Sequence, residues 1–222
     1  MKKFGLITIL AGVAICLASS FAYADNVTMS FTGVGGANSG GVYTYPYYFN
    51  INGGPAVPLM CVSYLQEIQI PETWTATITP IGTPTPFLTA TQEEENAYLD
   101  NVVLSNGSSA QTIANAQWAA WVVGAPAALP PSTLQALGLD YQGIAGQLTD
   151  AENFVATHTL AGDPSFYSSF QLYVPNPGTQ VPTSDGLPQT FIGTTPEPGS
   201  LLLLGTGLSL LAFGLFRSKL VA

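Results

Sequence analysis

Only a few side chains in these 222 residues could carry covalent chemistry, and two of them need an explanation. Cysteine occurs twice, at Cys16 and Cys61. Cys16 falls in an N-terminal apolar run that reads as a removable leader, which would leave Cys61 alone. A single cysteine in an exported chain has no internal disulfide partner, and suggests intermolecular pairing or a reactive role. The second residue is Gln117. The spacing predicts a helix over about Ser109–Val123 with an apolar stripe at Ile113, Ala116, Ala120 and Val123. Gln117 lies four residues after Ile113 and four before Trp121, so its carboxamide sits within or beside the buried face. Such a group costs about 1–3 kcal/mol if it is left unpartnered.

Other chemistries are poorly supplied. His158 is the only histidine, and no Gly-x-Ser-x-Gly elbow occurs. A Ser/His/Asp triad would have to use His158 beside Thr157 and Thr159, near Asp163, and a helix-end histidine explains that residue more simply. One histidine and one cysteine do not make a zinc site, and no EF-hand spacing appears. The acids show no pair that stands out for glycoside hydrolysis. The expectation is a protein that is not an enzyme, with no metal and no cofactor.

The elements that must position Cys61 and Gln117 follow from periodicity. Asn26–Val34 and Val42–Ile51 read as strands around a Gly-rich turn at Gly33–Gly41. The aromatic segment Tyr43, Tyr45, Tyr47, Tyr48, Phe49 could bind sugar but reads better as strand packing. Val57–Ser63 is an apolar run carrying Cys61. Glu72–Thr79 alternates, with Trp74, Ala76 and Ile78 on one face and threonines on the other. The pattern then turns helical. Thr91 with Glu94 reads as a capping box, and Glu93, Glu94 and Glu95 fall in the first turn, where the helix dipole favours acids. After the second helix, a weaker helical region covers Ser132–His158, with Thr149 and Glu152 as a further capping box. Phe170–Val174 and Gln189–Gly193 read as closing strands.

Composition narrows the partners. All four basic residues, Lys2, Lys3, Arg217 and Lys219, lie at the ends, so residues 25–195 hold twelve of the thirteen acids and no Lys or Arg. A stretch with a net charge of about −12 is unsuited to nucleic acid or anionic lipid and has no cation to hold phosphate. One domain, large enough to bury a core, is the expectation.

Ala116-Gln117-Trp118-Ala119-Ala120-Trp121 resembles the Thr-Gln-x-Ala-Ile-Trp motif of bacterial surface thioester domains, and Met60-Cys61-Val62 resembles their cysteine segment. Ala116 stands where the motif has Thr, and Ala120 where it has Ile. The resemblance, which extends loosely over residues 42–125, implies that the Cys61 thiol attacks the Gln117 side chain, expels ammonia and leaves an internal thioester. A thioester is a stored acyl electrophile that an amine or another nucleophile opens covalently. It needs apolar walls to exclude water, and Trp118 and Trp121 are the expected pocket lining. The plainer reading stands beside it: Cys61 is an inert buried thiol, and Gln117 hydrogen-bonds to backbone.

The two ends read as addresses. Lys2 and Lys3 precede an apolar run from Phe4 to Leu17, and Ala22-Tyr23-Ala24 supplies a cleavage site, so signal peptidase is expected to act between Ala24 and Asp25. At the other end Pro196, Glu197 and Pro198 precede the uncharged stretch Gly199–Phe216, and Arg217 and Lys219 follow. A helix of that length reaches about 27 Å, enough for a hydrocarbon core, and the basic tail favours the cytoplasmic side. Motif, apolar run and basic cluster in this order resemble the PEP-CTERM sorting domain. That resemblance implies recognition by an exosortase, with processing at or near Pro196–Pro198.

The expected architecture is therefore α+β: an antiparallel β-rich passenger domain with a helical insertion (25–194), a signal peptide (1–24), and a PEP-CTERM signal (195–219) containing one C-terminal transmembrane helix (199–216). The expected function is an exported cell-surface or extracellular-matrix protein, attaching covalently as a thioester-type adhesin through Cys61–Gln117. The alternative is a structural or carbohydrate-associated matrix or biofilm protein without a reactive bond. Expected partners are the translocon and signal peptidase, the inner membrane before processing, the exosortase, and a surface polysaccharide or amine-bearing ligand, with no nucleic acid.

Overall fold

The first strand of the domain, β1 (Asn26–Val34), buries every second residue: Val27, Met29 and Phe31. That period places one apolar row against the interior of a sheet. The computed structural model describes residues 26–36, 38–105, 107–181 and 187–194. After β1 come a two-residue pair, β2 (Asn38–Ser39) and β3 (Val42–Tyr43), then β4 (Tyr47–Ile51), β5 (Ala56–Cys61) and β6 (Glu72–Pro80). Helices α1 (Ala90–Leu104), α2 (Ala110–Gly124), α3 (Pro131–Ala136), α4 (Tyr141–Thr157) and α5 (Pro164–Tyr167) follow, and β7 (Phe170–Pro175) and β8 (Phe191–Thr194) complete the order. These elements belong to a compact unit running Ala24–Thr194.

The expected α+β class with an antiparallel sheet and a helical insertion is corrected to a closed β-barrel carrying helices. The six main strands close into an antiparallel barrel in the order β1-β4-β5-β8-β7-β6. Closure comes from β1 pairing on both sides, Met29 opposite Ile51 of β4 and opposite Trp74 of β6. It is completed by the late strand β8, which inserts between β5 and β7 and sets Met60 opposite Ile192. Among the described residues no helix is long and apolar enough to cross a membrane. The expected span at 199–216 lies outside them, as do Ala22, Ala24, Asp25, Pro196, Glu197, Pro198, Arg217 and Lys219.

Aromatic side chains fill the barrel. Phe49 of β4 meets Phe191 of β8 at 4.5 Å between ring centroids and Trp74 of β6 edge-on at 5.6 Å. Neither pair belongs to neighbouring strands, so both contacts cross the barrel interior. Phe31 and Tyr47 join the same cluster. Each such pair adds about 0.5–1.5 kcal/mol beyond its buried area. The aromatic segment at residues 43–49 is therefore split. Tyr47 and Phe49 pack inward, while Tyr43 and Tyr48 are exposed.

The helices occupy the connection between β6 and β7, two strands that are themselves paired. α1 begins two residues earlier than the Thr91–Glu94 pattern implies. Thr89 is the N-cap, its hydroxyl accepts from the Gln92 N–H, and the Gln92 side chain returns the bond to Thr89 N. The same Thr-x-x-Gln/Glu arrangement occurs at both positions, and the chain uses the upstream one. Thr149 is likewise no cap: it sits inside α4 and donates to the Ala145 carbonyl, while Asp140 caps that helix.

Glu93 lies in the first turn as expected and is buried. It shares one face of α1 with Asn96 and Asp100, also buried. Glu93 Oε2 accepts from the Gly82 N–H at 2.7 Å. The other Glu93 oxygen, Asn96 Oδ1 and both Asp100 carboxyl oxygens have no hydrogen-bond partner. Burial raises Glu93 to about 6 and Asp100 well above the usual carboxylate range. Acids that hold protons more tightly when folded stabilise the fold at low pH and withdraw that support as pH rises. The melting temperature should therefore fall as pH climbs from 4.5 through about 6, with the raised Asp100 carboxyl adding to the decline. Asp100→Asn should flatten this slope in thermal melts recorded across pH, and a profile unchanged by the substitution would contradict the assignment.

Candidate functional site

Cys61 is the last residue of β5 and lies directly opposite Phe191, so its side chain shares the barrel-facing side with that ring. The chain beyond it stays pinned to the segment before β8. Val62 N donates to the Thr190 carbonyl at 3.0 Å, and Thr190 N donates to Ser63 Oγ at 2.7 Å. The thiol donates to the Ser63 carbonyl at 3.5 Å. Cys61 is wholly buried.

α2 crosses this point. Ser109 caps it by accepting from Thr112 N, and from Ala114 onward nearly every residue is buried. It packs against α1, α4 and β5. Small side chains at Ala116, Ala119 and Ala120 let those elements approach closely. The expected apolar stripe is thus broader than one face. Its C-terminal end meets the cysteine segment backbone to backbone. A Cβ built on Gly124 would stand 2.6 Å from the Val62 carbonyl oxygen, so only glycine fits there. On the opposite side Gln92 Nε2 of α1 donates to the Val123 carbonyl at 2.6 Å.

The two residues singled out from sequence meet at this crossing. Gln117 Nε2 donates a 2.6 Å hydrogen bond to the Cys61 carbonyl across 56 residues of chain, and Gln117 has no exposed surface. Its own Oε1 has no partner. The arrangement therefore satisfies the nitrogen of a fully buried carboxamide and leaves its oxygen bare, at a cost of about 1–3 kcal/mol.

Trp118 and Trp121, one and four residues after Gln117, contact each other edge-to-face, centroids 4.9 Å apart at 88°. Both also meet Tyr64, at 5.8 and 5.6 Å, a residue that sequence reasoning did not single out. Trp118 Nε1 donates to Ser39 Oγ at 3.2 Å, which ties the β2–β3 hairpin over the indole. The Trp121 indole N–H completes no hydrogen bond but is turned so that it favours the Cys61 thiolate. Burial dominates nonetheless, and the thiol is pushed up to about 11 despite the opposing pull of Trp121 and Ser63. The site is buried and walled mostly by apolar side chains. No group of acids, histidines or cysteines among the described residues could hold a metal ion. His158 lies at the C-terminal end of α4, stacked on Phe154 at 4.3 Å, with its ring nitrogen beside Thr157.

The comparisons with known proteins add little. No family model matches the chain, and no curated protein matches it. Among solved structures it is similar to the N-terminal domain of the Streptococcus pyogenes pilus tip adhesin Cpa, at 12% identity and a TM-score of 0.38, covering 80% of this chain and 97% of that one. A likeness that loose carries no argument, and function rests on the site itself.

The contact at Gly124 can be tested directly. Gly124→Ala must push the end of α2 away from Val62, and overpacking of this kind costs about 1–3 kcal/mol. Denaturant unfolding should show a lowered midpoint, whereas Gly146→Ala, where a Cβ meets nothing within 4 Å, should not lower it.

Proposed function

We propose that this protein is an exported surface protein that attaches covalently to its target through an internal thioester between Cys61 and Gln117. What supports the proposal is proximity: the buried Gln117 carboxamide donates a 2.6 Å hydrogen bond to the Cys61 backbone carbonyl, a contact the plainer reading of an inert thiol expects as well, and its oxygen is left unpartnered. In the reaction the Cys61 sulfur adds to Gln117 Cδ. The Cδ–Nε2 bond breaks, Nε2 leaves as ammonia carrying the thiol proton, and an S–C(=O) bond remains. The raised thiol pKa, about 11, keeps the resting group protonated, so that proton is available to the leaving nitrogen. Trp118, Trp121 and Tyr64 exclude the water that would hydrolyse the product. Residues 25–195 contain no lysine, so no internal primary amine from a side chain competes for the acyl group.

Intact mass separates this reading from an inert buried thiol. Protein recovered from exporting cells should be lighter by one ammonia than its sequence requires. Methylamine should add its own mass to that species, and Cys61→Ala or Gln117→Ala should abolish both effects. Full mass with one alkylatable thiol after unfolding would sink the proposal.

We further propose that Pro196-Glu197-Pro198, the apolar stretch after it and Arg217 with Lys219 form a sorting signal read by an exosortase. Proline disfavours helical backbone at itself and at the residue before it, which suits a motif read by a protease. Deleting residues 196–222 should leave export intact and abolish C-terminal processing on immunoblots of cell fractions. Unchanged processing would refute it.

A further inference from the structure

A groove of about 250 Å³ opens beside the cysteine segment, between residues 62–66, the Pro86–Leu88 loop and the end of α2. Tyr64, Leu65, Pro86 and Phe87 supply its apolar walls. No aspartate, glutamate or histidine lines it, and residues 25–195 contain no Lys or Arg. Two of its lining residues carry bare oxygens. Thr190 uses its backbone fully, its N–H on Ser63 Oγ and its carbonyl on Val62 N, yet its hydroxyl has no partner although the residue is 1% exposed. Gln66 accepts from Gln189 Nε2 through its backbone carbonyl, while its side-chain Oε1 is buried and unpartnered.

We propose that this groove binds a neutral saccharide. An ammonium would find no counter-charge there, and a phosphate or carboxylate no cation. A purely apolar ligand would leave the Thr190 hydroxyl and Gln66 Oε1 unpaired. A sugar ring meets all three conditions: its hydroxyls donate and accept, its C–H face packs on Tyr64 and Phe87, and it carries no charge. The volume is below the roughly 300 Å³ at which small-molecule pockets begin, and the groove is half open. That suits one ring of a longer glycan. The site stands whether or not Cys61 and Gln117 are linked, because neither lines it. Tyr64 joins the two regions, since it walls the groove and packs on Trp118 and Trp121.

The test is titration of the recovered protein with four neutral tetrasaccharides, of glucose, galactose, mannose and xylose, followed by amide NMR shifts and tryptophan fluorescence. At least one should move the amides of Val62, Gly124 and Thr190 and change the fluorescence. Thr190→Val, which is nearly isosteric and spares both backbone bonds, should weaken that binding about three- to tenfold without lowering the melting temperature, as should Gln66→Leu. Tyr43→Ala, at an exposed aromatic, should leave it unchanged. The proposal is overturned if no sugar perturbs these amides at millimolar concentration, if Thr190→Val binds as the parent does, or if the shifts fall on Tyr43 and Tyr48 instead.

Discussion

The crossing of α2 over the end of β5 is the contact on which the rest of the domain depends. It is a backbone-to-backbone approach, possible because Gly124 has no Cβ to strike the Val62 carbonyl. It is fastened by one side-chain bond, from Gln117 to the Cys61 carbonyl. Through that bond a helix from the insertion is fixed to a strand of the barrel. The same strand end is pinned to the segment entering β8 by Val62 and Ser63, so helix, strand and barrel closure share a few residues. A deformation there would be felt by the closed sheet as well as by the site.

The domain builds this contact without Lys or Arg side chains, so salt bridges to its acids are not available as a means of cohesion. Aromatic packing across the barrel and a helix buried nearly all round do that work. The consequence is a polar inventory under strain. Asp100, Asn96, Glu93 and Gln117 all sit in the interior with at least one oxygen unpartnered. A buried polar group without a partner is usually selected against. Four on the facing helices α1 and α2 mark this as the part of the fold where stability gives way to another demand. For Gln117 the proposed thioester is that demand. For Asp100, burial pushes the carboxyl well above the usual carboxylate range.

Legibility from sequence varied with the range of the cause. β1 and β6 were readable because a two-residue period is local, and Trp74 and Ala76 are buried as the alternation required. α2 was readable from its apolar spacing. Thr91 failed as a cap because an equivalent pair, Thr89 and Gln92, precedes it, and only the start of the helix in three dimensions chooses between them. Glu93 was placed correctly in the first turn, but its burial was not legible, because the first-turn rule says nothing about what packs on the turn. Tyr64 and Thr190 carried no signal of their own, as each matters only through residues distant in the chain.

The sequence by itself determined which residues could do chemistry. A lone thiol and a carboxamide on a buried helical stripe are exceptions that composition and periodicity make visible, and the absence of Lys and Arg is a matter of counting. Tertiary structure decided everything that needs two distant segments at once. Barrel closure rests on β1 pairing on both sides and on Met60 meeting Ile192, and a strand's alternation does not name its partner. The meeting of Gln117 with Cys61 is of the same kind. Each residue's oddity was local, but the bond between them exists only because α2 can lie close enough to β5, and that closeness comes from packing.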